Sequence, residues 1–121
     1  MIDHVTLPVA DYARSKAFYE KALAPLGYAH VMEFHGCVGG FAVDGKPDFW
    51  IEGQEGAPRE VHVAFGAKTR AAVDAFHAAA LAAGAEDNGQ PGLRPEYHAT
   101  YYAAFAIDPD GHNIEAVCHK P

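Results

Sequence analysis

Residues 108–119 read Asp-Pro-Asp-Gly-His-Asn-Ile-Glu-Ala-Val-Cys-His. The first four form a tight-turn sequence, with Pro and Gly where a type I or II turn wants them. The residues after the turn alternate. Ile114, Ala116 and Cys118 make one apolar face, so Asn113, Glu115 and Val117 point the other way. The stretch is therefore a strand entered from a turn, and it sets one carboxylate, Glu115, opposite the core. Whether that carboxylate does chemistry depends on what the rest of the chain brings to it.

Working upstream, Thr100 to Ile107 is the partner strand across the turn. Asn88 to His98 is rich in Gly and Pro and reads as a loop, preceded by a short strand near Ala85 to Asp87. Thr69 to Ala83 is alanine-rich and helical, with Val73, Phe76, His77, Ala80 and Leu81 on one stripe, and Gly84 ends it. Glu60 to Phe65 is a strand. The first half runs in the same order. Ile2 to Leu7 is a strand stopped by Pro8. Asp11 caps a helix whose Ser15, Phe18, Tyr19, Ala22 and Leu26 share a face, ended by Gly27. Strands come next at Tyr28 to Phe34, Val38 to Val43 and Asp48 to Glu52, with Asp44-Gly45 as a hairpin signal.

The chain is thus an internal duplication. His4-Val5 matches His62-Val63, Ala17-Phe18 matches Ala75-Phe76, and Ala22-Leu23 matches Ala80-Leu81, all at an offset of 58. Ile51-Glu52 matches Ile114-Glu115 at an offset of 63, which places an insertion of five residues in the Asn88 to His98 loop. The expected architecture is α+β: one domain over 1–121, built from two βαβββ modules, about 1–55 and 58–121. The expected sheet is mixed and curled around a cleft, with the helices on the outer face.

Composition narrows the function. A net charge of −7 with no basic run argues against nucleic acid and anionic membrane as partners. Cys37 and Cys118 are far apart and not in a metal spacing, so no disulfide framework is expected and a cytoplasmic setting fits. The first residues read as neither a signal peptide nor a membrane span. Half the residues are hydrophobic, enough for a core.

Strand alternation picks out four polar residues on the side away from the helices: His4, Glu52, His62 and Glu115. If the two sheets curl around one cleft, these converge. Two imidazoles with one or two carboxylates suit a catalytic Zn²⁺, Ni²⁺, Fe²⁺, Mn²⁺ or Co²⁺ and leave open positions for a ligand. Trp50 shares their face and offers an apolar wall. Arg94, Tyr97, His98 and Tyr102, in and after the inserted loop, are candidates for holding an anionic or aromatic substrate.

The duplication, together with "IDHVTL" at the start, "EVHVAF" in the middle and "DPDGHNIEAV" at the end, resembles the vicinal oxygen chelate superfamily. This is the group of glyoxalase I, bleomycin-resistance proteins and extradiol dioxygenases. The resemblance covers essentially the whole chain. It implies a metal-dependent enzyme acting on a small oxygen-chelating substrate, with ligands at His4, Glu52, His62 and Glu115, and a homodimer in which a site can draw on two chains. Glu52 and Glu115 would then be the catalytic carboxylates of a glyoxalase-type lyase. Without Glu52 the set becomes His4, His62 and Glu115, which resembles the three-ligand branches, including the ring-cleaving dioxygenases. The resemblance equally admits a binder without metal or catalysis. Such a protein sequesters a small aromatic or cationic molecule, as bleomycin-resistance proteins do. Cations for a glutathione-type substrate are few, among them Arg14, Lys46, Arg59 and Arg94.

Overall fold

A computed structural model describes residues 1–57 and 60–121. Arg59 lies outside the described residues. The chain is α+β. In order it forms β1 (Val5–Val9), α1 (Tyr12–Ala22), β2 (Ala29–Phe34), β3 (Val38–Ala42) and β4 (Phe49–Gly53). The second half forms β5 (His62–Gly66), α2 (Arg70–Ala82), β6 (Glu86–Leu93), β7 (Tyr102–Ile107) and β8 (Asn113–Cys118). Each half makes a four-stranded mixed sheet, ordered β1-β4-β3-β2 and β5-β8-β7-β6, and neither sheet is closed. The repeated βαβββ order read from the sequence is present.

Both helices begin as their sequences dictate. The Asp11 carboxylate accepts from the Arg14 N–H at 3.1 Å, and the Thr69 hydroxyl accepts from the Ala72 N–H at 3.0 Å. Helix α1 buries Ser15, Phe18, Tyr19 and Ala22, and α2 buries Val73, Phe76, His77 and Ala80. Leu81, expected on that stripe, sits at its edge and is partly exposed. The helices pack on each other, and α2 also lies across β6, β7 and β8. One apolar core runs through both modules, from Leu7, Val9, Phe41, Phe49 and Ile51 to Phe65, Ala104, Ala106, Ile114 and Ala116. Phe65 meets Phe49 at 5.0 Å and Tyr28 at 5.6 Å, edge to face, across the module boundary.

The turn Asp108 to Gly111 does more than reverse the chain. Asp110 accepts from the Ala10 N–H at 2.9 Å and from the Ser15 hydroxyl at 3.1 Å, gripping the start of α1. Asp108 accepts from the Tyr19 hydroxyl at 2.5 Å and from the backbone N–H groups of Asp110 and His112. His112 is fully buried. Its Nε2–H donates to the Pro8 carbonyl at 2.9 Å, and its Nδ1 accepts from the Val61 N–H at 3.2 Å. The sequence alone assigns these residues to hairpin formation. Their second role is hidden there because every partner on α1 and β1 is about a hundred residues away.

Four expectations are corrected. Helix α1 ends at Ala22 rather than running to Gly27, and Leu26 lies in a separate 3-10 turn, Ala24–Leu26. Pro8 does not stop β1, which continues to Val9; Pro8 is tolerated because β1 is an edge strand of its sheet. The segment Glu86–Leu93 is a strand, although its Asn, Gly and Pro content reads as loop. It pairs with β7 through register shifts between Asp87 and Gly89 and between Gly89 and Gly92. Finally, the offset between β4 and β8 is not 63. Val5 pairs with Phe49 and Val63 with Ile114, which equates Phe49 with Ile114 at an offset of 65. The match of Ile51-Glu52 to Ile114-Glu115 is coincidental.

Asp108→Ala should strip the buried Tyr19 hydroxyl and two backbone N–H groups of their acceptor. Urea unfolding should show a loss of about 3 kcal/mol or more. In a double-mutant cycle with Tyr19→Phe, the two losses should be clearly less than additive.

Candidate functional site

The face of the second sheet away from α2 carries His62 from β5, Glu115 and Asn113 from β8, and Phe105 from β7. Glu115 stands opposite Ala64 on one side and Phe105 on the other, and His62 lies diagonal to it. Glu115 is 2% exposed, an unusual burial for a carboxylate. Both of its oxygens are engaged. Oε2 accepts a short hydrogen bond from the Tyr101 hydroxyl. Oε1 lies 3.1 Å from Nε2 of His62.

The state of His62 is set by its other nitrogen. Nδ1 is 3.0 Å from the Asn113 carbonyl, which can only accept, so Nδ1 carries hydrogen. In a neutral ring, Nε2 then presents its lone pair to a carboxylate. Two acceptors face each other at that distance only if a proton or a cation joins them. Imidazole nitrogen and carboxylate oxygen are donor types a divalent ion takes, and His62 and Glu115 would supply one of each. The pair fits a metal's donor set in atom type, with the carbonyl behind His62 fixing its tautomer.

The first module does not mirror this arrangement. Thr6 pairs with Trp50, as Ala64 pairs with Glu115, so Trp50 occupies the position equivalent to Glu115. Glu52 lies one step further, level with Pro8, and accepts from the Gln54 side chain at 2.8 Å. His4 precedes β1 and is exposed, and its Nδ1 lies 2.8 Å from Asp3. With Val63, Ala64 and Phe65 it borders a groove of about 230 Å³ at the seam between modules. Of the four candidate ligands, the structure brings together His62 and Glu115. Among the described residues no three His, Cys, Asp or Glu side chains gather as a metal-holding group.

The candidate substrate residues divide as well. Trp50 stacks on Phe34 with ring centroids 5.9 Å apart. A Cβ on Gly40 would lie 2.9 Å from the indole, so glycine makes room for it. Arg94 folds back over its own strand, its Nη1 donating to the Gly92 carbonyl at 2.9 Å and its Nη2 to the Gln90 carbonyl at 2.8 Å. Tyr102 is turned to the helix side, where its hydroxyl donates to Asp74 at 2.6 Å and Arg70 lies over its ring. The neighbouring Tyr101 takes the place expected of it. Tyr97, His98 and His119 surround the Tyr101 ring edge to face, with centroids 5.0, 5.5 and 5.2 Å away. His98 Nδ1 accepts from the Thr100 N–H, which puts hydrogen on Nε2 and aims it at His119 Nδ1, 2.7 Å away. Sequence reading missed Tyr101. Its only signal was the Tyr101-Tyr102 doublet at the start of a strand, where alternation sends one ring to each face.

A wider groove of about 730 Å³ surrounds the Asp108 to Gly111 turn and the start of α1. None of the candidate ligands lines it, and the turn's acids are occupied in holding the modules together. The chemistry-bearing groups lie on the open sheet face.

The family model for the Glyoxalase/Bleomycin resistance protein/Dioxygenase superfamily matches residues 1–116. The chain belongs to this superfamily. A glyoxalase/bleomycin resistance protein from Albidiferax ferrireducens shares 30% identity over 96% of this chain and 97% of that one, with a TM-score of 0.84. A glyoxalase/bleomycin resistance protein/dioxygenase family enzyme from Burkholderia phytofirmans superposes at a TM-score of 0.75, with 20% identity and 98% of each chain covered. A lactoylglutathione lyase from Agrobacterium tumefaciens superposes at 0.72, with 19% identity over 98% of this chain and 92% of that one. These last two likenesses concern the fold alone. No curated protein matches the sequence. Among the described residues of this superfamily member, no helix is long and apolar enough to cross a membrane.

Burial first, and then the hydrogen bond to Glu115, push the Tyr101 phenol up to about 12. In Glu115→Gln the negative partner is gone and the phenolate is less disfavoured. The pKa should therefore fall, while staying above the ordinary value of about 10 because burial remains. Phenolate absorbance after a stopped-flow pH jump, with Tyr101→Phe as the blank, reads this in the folded protein.

Proposed function

We propose that this superfamily member is a metal-dependent enzyme acting on a small substrate with neighbouring oxygens. The observation that carries the reading is the His62–Glu115 pair, buried on the acid side and anchored behind by Asn113 and Tyr101, with Nε2 and Oε1 only 3.1 Å apart on an open sheet face. The ligand set we infer is His62, Glu115 and His4. Glu52 stands outside it, because the register gives its place to Trp50. That favours the three-ligand branch over a two-glutamate lyase mechanism.

In this reading, a bound divalent ion supplies Lewis-acid stabilisation for an oxyanion developing on the substrate. The protein's own groups do the rest. The Asn113 carbonyl fixes the tautomer and aim of His62. Tyr101 holds Glu115 by one oxygen and leaves the other for the site. Its phenol stays protonated at neutral pH and can donate a hydrogen bond. Trp50 and Phe34 provide an apolar wall.

His4 reaches this pair most simply from a second copy of the chain, so we propose a homodimer with composite sites. Exposed apolar residues on the first sheet support it: Met32 at 40% and Phe34 at 48%, the latter stacked on Trp50. Phe34→Glu should shift the protein towards monomer in light scattering.

A panel of divalent ions should raise the melting temperature of wild-type protein. An ion present at a hundred times its Kd adds about 2.7 kcal/mol. His62→Ala and Glu115→Gln should abolish the rise, His4→Ala should weaken it, and Glu52→Gln should keep it. A wild-type protein that takes up no ion, yet whose Trp50 fluorescence is quenched by a planar organic cation, would overturn the enzyme reading in favour of sequestration.

A further inference from the structure

We infer that the substrate is an anion, carrying a carboxylate at the end remote from its chelating oxygens, and that Arg94 is the anchor for it. The inference rests on the proposed chelating site and specifies what that site takes.

The second sheet places one row of residues across the open face. Gly89 on β6 pairs with Phe105 on β7, Phe105 with Glu115 on β8, and Glu115 with Ala64 on β5. Arg94 is folded onto the Gly89 end of this row. Its guanidinium carbon is 5.5 Å from the centre of the Phe105 ring. The Phe105 ring is in turn 6.3 Å from that of His62, nearly parallel to it.

The two glycines keep the ground around the guanidinium clear. A Cβ at Gly89 would meet the Phe105 ring at 2.9 Å and Nη2 of Arg94 at 3.2 Å, and one at Gly92 would meet Nη1 at 3.2 Å. Gly89 has φ +153, a backbone geometry L side chains rarely adopt. The carbonyls of Gln90 and Gly92 each take one N–H, which holds the group in position but uses only two of its five donors. The remaining donors, on a planar and permanently charged fork, suit a carboxylate held by two parallel hydrogen bonds. In a chain of net charge −7, a cation fixed so deliberately beside a candidate site calls for an anionic occupant.

The row also gives a length. From Gly89 to Glu115 is two strand spacings, about 10 Å. The substrate therefore spans roughly that distance, with an apolar or aromatic middle lying over Phe105.

The test uses metal-free protein and a probe without chelating oxygens, trans-cinnamate, against its neutral match, cinnamamide. In amide-resolved NMR, cinnamate should give saturable shifts at Gly89, Gly92 and Phe105, and cinnamamide should bind about tenfold or more weakly. Arg94→Gln should bring cinnamate down to the level of the amide. The wild-type comparison stands even if that variant loosens the loop. Equal affinity for acid and amide, shifts confined to other surfaces, or no saturable shift at all would overturn the inference. A second arm separates it from the metal reading. With Zn²⁺ present, calorimetry should show 3,4-dihydroxycinnamate binding at least tenfold tighter than cinnamate in wild type but not in His62→Ala. If cinnamate keeps its preference over the amide while this zinc-dependent gain is missing, the Arg94 anchor stands and the metal site falls.

Discussion

The turn from Asp108 to His112 holds the two modules in one relation, and the placement of Glu115 beside His62 depends on it. Its acids take the backbone and side-chain donors at the start of α1, and its imidazole ties β1 to the strand leading into β5. His112 is wholly buried, and each ring nitrogen has a partner of the right kind, so its tautomer is determined. Glu115 lies three residues beyond that anchor. A strand pinned at its first residue cannot slip, and a slip by one would turn Glu115 into the core and Ile114 to the open face. The register that sets the acid beside His62 is thus imposed by contacts to the other module.

Burying a carboxylate costs several kcal/mol unless it is well paired. Glu115 meets that cost with a phenol on one oxygen and an imidazole on the other. Such a pair contributes little to stability compared with an apolar replacement. On an open face, where an ordinary strand would place a small solvated side chain, it is this pair that the proposed function rests on. The aromatic ring of histidines and Tyr97 around Tyr101 is the support one layer further out.

The fold was legible because both of its periods are strong. Ser15, Phe18, Tyr19 and Ala22 repeat with the helix, and Ile114, Ala116 and Cys118 with the strand, and both sets are buried. The His62–Glu115 face was legible by the same alternation. What failed failed for identifiable reasons. Residues 86–93 carry loop composition because the strand bends through two register shifts and Gly89 lies against the Phe105 ring, so Gly there answers to packing. Tyr101 and Tyr102 could not be told apart until the first residue of β7 was known. Glu52 was misaligned because a two-residue identity, Ile-Glu, is weaker than the register that strand pairing dictates.

That misalignment leads to the asymmetry of the duplicated halves. The row Met32, Gly40, Trp50 and Thr6 in the first sheet corresponds, position by position, to Gly89, Phe105, Glu115 and Ala64 in the second. Where the second module has an acid flanked by an aromatic ring, the first has an indole flanked by a glycine that clears room for it. Large and small residues have exchanged places, and the acid has been kept in only one copy. Two identical halves would present two acids and two histidines and surround a ligand with charge alone. The divergent halves instead set Glu115 and Phe105 in one module against Trp50 and Gly40 in the other. The first sheet's row therefore packs an indole against a glycine, and the second sheet's row carries the buried acid beside a ring.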